Sequence, residues 1–235
     1  MTRSRIAAMA AVAALVLAGC VSGDSDATGE ESKKSDLSGL SAPDLLSKAE
    51  SVIEKKATVR MKGQGIEQGS DFVYDLSYVG DAAEGYVSIE GAKLRLLRID
   101  GETYFKADDA FWRAQGGDEY ANLVAEAIGD RWISIRGEED FKFLEALARR
   151  SFITVELFQP TDALRKGEAK IIDGVNCLSL VDSEGTIFVT ADDALPVQVN
   201  SNEGKEEAVV KFTYEDASSP RAPVASEIID ASKLV

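Results

Sequence analysis

The sequence predicts an α+β fold in which helices pack against one large antiparallel sheet. Three observations carry that expectation: an amphipathic helical stretch opens the globular part, period-two runs broken by glycine-containing turns fill residues 58–107 and return after Pro160, and a segment of helical composition lies between them. Strand runs on both sides of a helical insert, joined by tight turns, make neighbouring strands antiparallel and leave the helices to cover the sheet.

The opening helix begins at Ser41, a hydroxyl cap, with Pro43 in the first turn and Asp44 near the positive end of the helix dipole. Leu45, Ala49, Val52, Ile53 and Ala57 then fall on one face, while Lys48, Glu50, Glu54 and Lys55 lie elsewhere. From Thr58 to Ala107 the period becomes two. Phe72, Tyr74, Leu76 and Tyr78 alternate with Val73, Asp75, Ser77 and Val79, and Leu94 and Leu96 continue the apolar face. Asp100-Gly101, between LRLLRI and ETYFK, has the composition of a two-residue hairpin turn, because both positions tolerate positive φ.

Two helical pieces follow, YANLVAEAI and EEDFKFLEALARR, separated by a run containing Gly129, Trp132 and Gly137. Leu123, Ala127, Phe141, Leu144 and Leu147 supply their apolar stripes. After Pro160 the strand runs AKIID, GVNCLSLVD, GTIFVT, LPVQVNS and EAVVKFTY return, with Asp173-Gly174 as a second hairpin turn. The tail from Ser218 onwards contains Pro220 and Pro223 and is expected to be extended.

Ahead of this domain, residues 1–20 read MTRSRIAAMAAVAALVLAGC. Arg3 and Arg5 form a positive n-region, and Ile6 to Leu17 form an apolar run shorter than the ~20 residues a transmembrane helix needs. The run ends in Leu17-Ala18-Gly19-Cys20, the lipobox pattern in which small residues precede a cysteine that carries diacylglycerol. Residues 1–19 therefore form a lipoprotein signal peptide. Cys20 is the lipidation site, and residues 20–40, rich in Ser, Gly and acids, form a disordered acidic tether. Residues 41–235 form a single domain, held to the extracytoplasmic side of the cell membrane by its acyl chains.

Composition narrows the function. The formal charge of −15, from 41 acidic and 26 basic side chains, repels a phosphate backbone, so nucleic acid is excluded as a partner. It also argues against attraction to anionic headgroups, which needs clustered Lys or Arg. The chain has no histidine, which removes the usual general base and the commonest metal ligand. No catalytic residue, metal site or cofactor is expected. Asp108-Asp109, Glu138-Glu139-Asp140 and Asp192-Asp193 lack the ordered spacing of a calcium loop and are read as solvated turns and helix starts. A carboxylate-dependent hydrolase would need two acids held across a cleft, a pairing that sequence does not display. Lys62-Gly63-Gln64-Gly65 lacks the spacing and the following helix of a phosphate loop. Cys177, within VNCLSLV, reads as a small buried hydrophobe.

In chain order, the lipobox, the acidic tether and the amphipathic helix are followed by IDGETYFKADDAFW (Ile99 to Trp112), by IIDGVNCLSLVDSEGTIFVTADDALPVQV (Ile171 to Val199) and by a closing FTYEDASSPRAPVASEI. This arrangement resembles the actinobacterial lipoproteins of the LolA-like superfamily, LppX and LprG relatives among them, over nearly all of the chain after the signal. The resemblance implies a strongly curved half-barrel sheet with helices covering its concave side. Several members carry lipids or lipidated molecules in the cavity so formed, so it also implies a lipid, glycolipid or lipoprotein ligand. It brings no diagnostic binding motif.

The candidate cavity residues come from the alternating face: Phe72, Tyr74, Leu76, Tyr78, Leu94, Leu96, Val197, Val199, Val210 and Phe212. Trp112 and Trp132, which bracket the helical insert, are candidates for a lid or mouth. The same residues would equally form a filled core, since a wide curved sheet can be packed or hollow. Two functions follow. One is a membrane-tethered carrier of an acyl-bearing molecule. The other is a surface sensor or interaction module of an envelope protein complex, with a filled core and no lipid ligand.

Overall fold

The computed structural model describes residues 37–67, 70–160, 162–203 and 206–231, which fall within one compact unit. The signal peptide, the lipobox, Cys20 and the tether up to residue 36 lie outside the described residues.

The globular part starts earlier than composition suggested. A short 3-10 turn, Leu37–Gly39, buries Leu37 to 2% exposure, and Leu40 packs on the same core. Two leucines in a polar stretch are enough to pull its end onto the core, so residues 37–40 belong to the domain and not to the tether. Helix α1, Ala42–Glu54, follows; the Ser41 hydroxyl accepts from the Asp44 N–H, and Leu45, Leu46, Ala49 and Ile53 are buried.

Five strands then form an antiparallel meander: β1 Thr58–Glu67, β2 Ser70–Val79, β3 Ala82–Ile89, β4 Ala92–Ile99 and β5 Glu102–Ala107. Asp100-Gly101 turns the chain between β4 and β5 with both residues at positive φ, as its composition predicted; Asp173-Gly174 does the same later. Helix α2, Asp109–Ile128, then crosses the sheet, followed by β6 Trp132–Ser134, a 3-10 turn Glu139–Phe141, α3 Lys142–Ala148 and a π-helical turn Ile153–Leu157. The remaining strands are β7 Arg165–Lys166, β8 Lys170–Ile172, β9 Val175–Val181, β10 Gly185–Thr190, β11 Pro196–Glu203, β12 Glu206–Thr213 and β13 Ile228–Asp230.

In space the order is β13-β6-β5-β4-β3-β2-β1-β12-β11-β10-β9-β7, with β8 paired on β9. The two meanders join through antiparallel β1 and β12, where Met61 faces Phe212. The C-terminal tail is not merely extended: Ile228–Asp230 pairs parallel to β6 and becomes the sheet's edge. Tail pairing of this kind depends on a partner strand about 95 residues away, which no local pattern reports.

Register aligns the core. Ile133, Phe105, Leu96, Gly85, Leu76, Met61 and Phe212 form one row across seven strands on the face that the helices cover. Tyr74, Val87, Leu94, Val210 and Val199 form the next. A small second cluster of Ile172, Cys177 and Phe188, with Val197 against it, lies on the opposite face. Burial pushes the Cys177 thiol up from its usual range, which suits an inert packing residue.

Candidate functional site

The site is built where α2 crosses the first meander. Asp108 positions the helix: one carboxylate oxygen accepts from the Phe111 N–H at 2.9 Å and the other from the Lys93 N–H at 3.0 Å. One side chain thus caps α2 and ties its start to the head of β4. The acidic pair Asp108-Asp109, read from sequence as a turn or helix start, is a helix start.

Within α2 the helix is broken. Gly116 and Gly117 leave helical geometry, Gly117 at φ +79°, a conformation that side-chain-bearing residues avoid. Phe111 and Trp112 lie before the break; Tyr120 and Val124 follow it. Only Ala121, Val124 and Ile128 of this helix are buried, so α2 covers the sheet without sealing it.

Under α2 lies a cavity of about 470 Å³, open on one side. Its floor is Leu94, Phe105 and Ile133 from the sheet; its roof is Phe111, Trp112 and Val124 from α2; Phe141 and Leu144 close the α3 side. Gln115 is the one amide side chain in the lining. Phe105 is the centre of an aromatic cluster, with ring centroids 5.0 Å from Phe141, 6.2 Å from Trp112 and 6.3 Å from Phe111. The volume falls in the ~300–1,000 Å³ range of small-molecule pockets. Its lining can exclude water from an apolar chain, with Gln115 and the Tyr120 phenol as its polar side chains.

The candidate residues separate into three groups. Leu94 and Trp112 line the cavity. Tyr74, Leu76, Tyr78, Leu96, Val210 and Phe212 are buried in a packed core beneath α1, α3 and the π turn, with Phe72 half-buried and stacked on Tyr74 at 5.9 Å. Leu76, Tyr78 and Leu96 have no exposed surface, so the alternating face is filled at its centre, with a hollow under α2 at one end. Val199 lines a second hollow of about 470 Å³ at the other end of the sheet, whose rim carries Glu156, Glu184 and Asn200. Asp182, also on that rim, accepts from the N–H groups of Glu184 and Gly185 and is taken up by its own turn.

Two candidates lie on the wrong face. Trp132 neighbours Ile133, which faces Phe105, so period-two alternation turns Trp132 outward. There it sits between Arg95 and Lys106, 5.4 and 5.1 Å from its ring centre. Val197 was expected beside Val199, but the register shifts between Phe188 and Val189. The irregularity inserts one residue and sends Val197 to the second cluster. Sequence reading missed Phe105, Phe111 and Phe141. The available signal was local: Phe105 alternates with Tyr104 and Lys106, and Phe111-Trp112 lies in the first turn after an acidic cap.

Among the described residues, no group of three or more acidic or cysteine side chains is placed to hold a metal ion, and no helix is long and apolar enough to cross a membrane.

A broad antiparallel sheet with helices on one face, and a hollow between the two, defines a LolA-like fold. The structure is similar to that of LprF from Mycobacterium bovis, with a TM-score of 0.52 at 9% identity over 77% of this chain and 96% of that one. Lipoprotein LppX from Mycobacterium tuberculosis aligns with a TM-score of 0.43 at 11% identity, over 76% of this chain and 99% of that one. MucB aligns with a TM-score of 0.40 at 14% identity, over 79% of this chain and 63% of that one. No protein-family model matches the sequence, and neither does any curated protein. The similarity to LprF shows the fold that the sequence motifs had implied.

Proposed function

We propose that this chain is an extracytoplasmic lipoprotein, anchored to the cell membrane through diacylglycerol on Cys20, that holds an acyl chain of a lipid, glycolipid or lipidated protein in the cavity under α2. The observation that carries this reading is the cavity itself: about 470 Å³, lined almost wholly by aromatic and aliphatic side chains, and open to the surface. Each CH₂ buried there would contribute roughly 0.8 kcal/mol, so a chain of several carbons binds without any polar contact. The reading involves no chemical step and no cofactor.

The interaction-module reading also has an observation in its favour. The middle of the covered face is packed solid around Leu76, Tyr78 and Leu96, so the hollow occupies one end of the sheet and not its full width. Native mass spectrometry of the chain from Val21 onward, purified from a bacterial host and followed by organic extraction, separates the two. Co-purifying lipid at defined stoichiometry supports the acyl-holding function. A bare mass that stays unchanged after incubation with acyl lipids sinks it and leaves the interaction module.

A further inference from the structure

The mouth of the cavity under α2 is ringed by large apolar side chains that face water. Phe143 is 51% exposed, Ile89 41% and Tyr120 39%, and all three line the cavity. Leu123, 60% exposed, lies one helical turn from Tyr120 and extends the same ring. These residues come from three separate elements, β3, α2 and α3, so the ring is assembled by the fold and is not a single hydrophobic run. Contiguous exposed apolar surface at a cavity mouth marks a place where something apolar binds.

We infer that this rim docks onto a lipid bilayer, inserting Phe143, Leu123 and Ile89 at the headgroup level so that the cavity opens directly toward the acyl region. The inference rests on the acyl-holding reading for its purpose, since a chain passing between bilayer and cavity must cross this ring.

The anchor favours a bilayer over a protein partner, and the charges beside the rim set the kind of contact it makes. Arg113 lies between Asp109 and Asp118 at 3.6 and 3.0 Å, Lys142 is paired with Glu139 at 2.5 Å, and Glu119 is exposed, so acids outnumber bases there and contact rests on the apolar side chains, not on attraction to anionic headgroups. The lipobox cysteine also lies close in sequence: the roughly 17 residues between Cys20 and Leu37, at no more than about 3.4 Å each, span on the order of 60 Å. That leash lets any face of the domain reach the membrane that holds its anchor. Docking of this kind is driven by hydrocarbon burial, so it needs no anionic lipid and resists salt.

The test uses the chain from Val21 onward, which keeps every described residue and removes the anchor that would otherwise dominate binding. Co-sedimentation at low and high salt with phosphatidylcholine vesicles, and with vesicles that also contain anionic phosphatidylglycerol, is compared for the unmodified rim and for the double variant L123S/F143S, whose changes lie at exposed positions. A rim that docks gives salt-resistant partitioning that falls about tenfold or more in the double variant. No partitioning, equal partitioning by both proteins, or binding confined to anionic vesicles and removed by salt overturns the inference. Binding of a monomeric fluorescent fatty acid, measured in parallel, keeps the two claims apart. Vesicle docking without probe uptake sinks the acyl-holding function alone, and probe uptake without docking sinks the rim alone.

Discussion

The hydroxyl of Tyr78 donates a 2.7 Å hydrogen bond to the main-chain carbonyl of Leu147, joining the end of β2 to the last turn of α3. The last carbonyls of a helix have no partner inside it, and this one is buried, so the tyrosine supplies what water cannot. Burial also pushes the Tyr78 phenol far above its ordinary range, which keeps it a donor at any working pH.

Tyr78→Phe removes that donor without changing the ring. We expect a loss of about 1–3 kcal/mol, the usual cost of a buried unsatisfied acceptor, measured as a lower urea midpoint at unchanged m-value. An unchanged midpoint would mean that the bond contributes nothing.

Arg150 performs a similar task for α1. Its guanidinium donates to the carbonyls of Ile53 at 2.5 Å and Lys56 at 2.6 Å, clamping the end of α1 to the segment after α3. Both bonds leave the terminal Nη2, a position that the ammonium of lysine, one bond shorter, does not reach. Arg150→Lys is expected to lose roughly 1.5–3 kcal/mol of stability and Arg150→Met no more than slightly beyond that. Full stability in the lysine variant would show that charge matters here and geometry does not.

Acid should weaken the sheet at one identifiable point. Partial burial pushes the Asp75 carboxyl up, but Arg60, bonded to both its oxygens at 2.7 and 2.8 Å, and Lys62 at 3.3 Å outweigh this and hold it below the usual aspartate range. A carboxyl depressed in the folded state stabilises above the unfolded value of about 3.9, and that contribution disappears as pH falls through the folded value. Because Arg60 and Lys62 are largely exposed, the contribution is about 1 kcal/mol at most. Between pH 7 and pH 3 the urea midpoint of Asp75→Asn should therefore fall less than that of the parent chain. Identical pH dependence of the two would remove Asp75 from the account.

The two tryptophans report on opposite faces of the sheet. A fatty acid carrying a quencher on its chain should quench Trp112 in the Trp132→Phe variant and leave Trp132 nearly unaffected in the Trp112→Phe variant, because only Trp112 lines the cavity. Equal quenching of both would place the acyl chain elsewhere. Val124→Phe, which fills part of the cavity roof without adding an indole, should weaken the effect while leaving the far-ultraviolet spectrum unchanged.

Cys20→Ala addresses the anchor. The variant is expected in the unattached fraction of cells, and retention on membranes through a high-salt wash would count against lipidation at this residue.

What was legible in the sequence was whatever depends on neighbours in the chain. The cap at Ser41, the Asp-Gly turns and the alternation through Phe72 to Tyr78 each rest on a few adjacent residues, and each reappears in the structure. The fold class followed because alternation and tight turns together allow few arrangements other than a meander covered by helices.

The cavity was a different matter, because whether a face is filled or hollow depends on which helix lies over which strand. Tyr74, Leu76 and Tyr78 have the same pattern as Leu94 and Leu96, yet the first three lie in the filled part of the core, Tyr78 bonded to Leu147 of α3, while α2, broken at Gly116-Gly117, leaves Leu94 lining a hollow. Trp132 and Val197 were misplaced for the same kind of reason: the face of a strand residue is set by register with its partner, and one shifted residue between Phe188 and Val189 reverses it. Local chemistry determined the elements. The hollow, its aromatic centre at Phe105 and its exposed rim were decided only by how those elements pack, since the volume left between two surfaces depends on both and is encoded in neither alone.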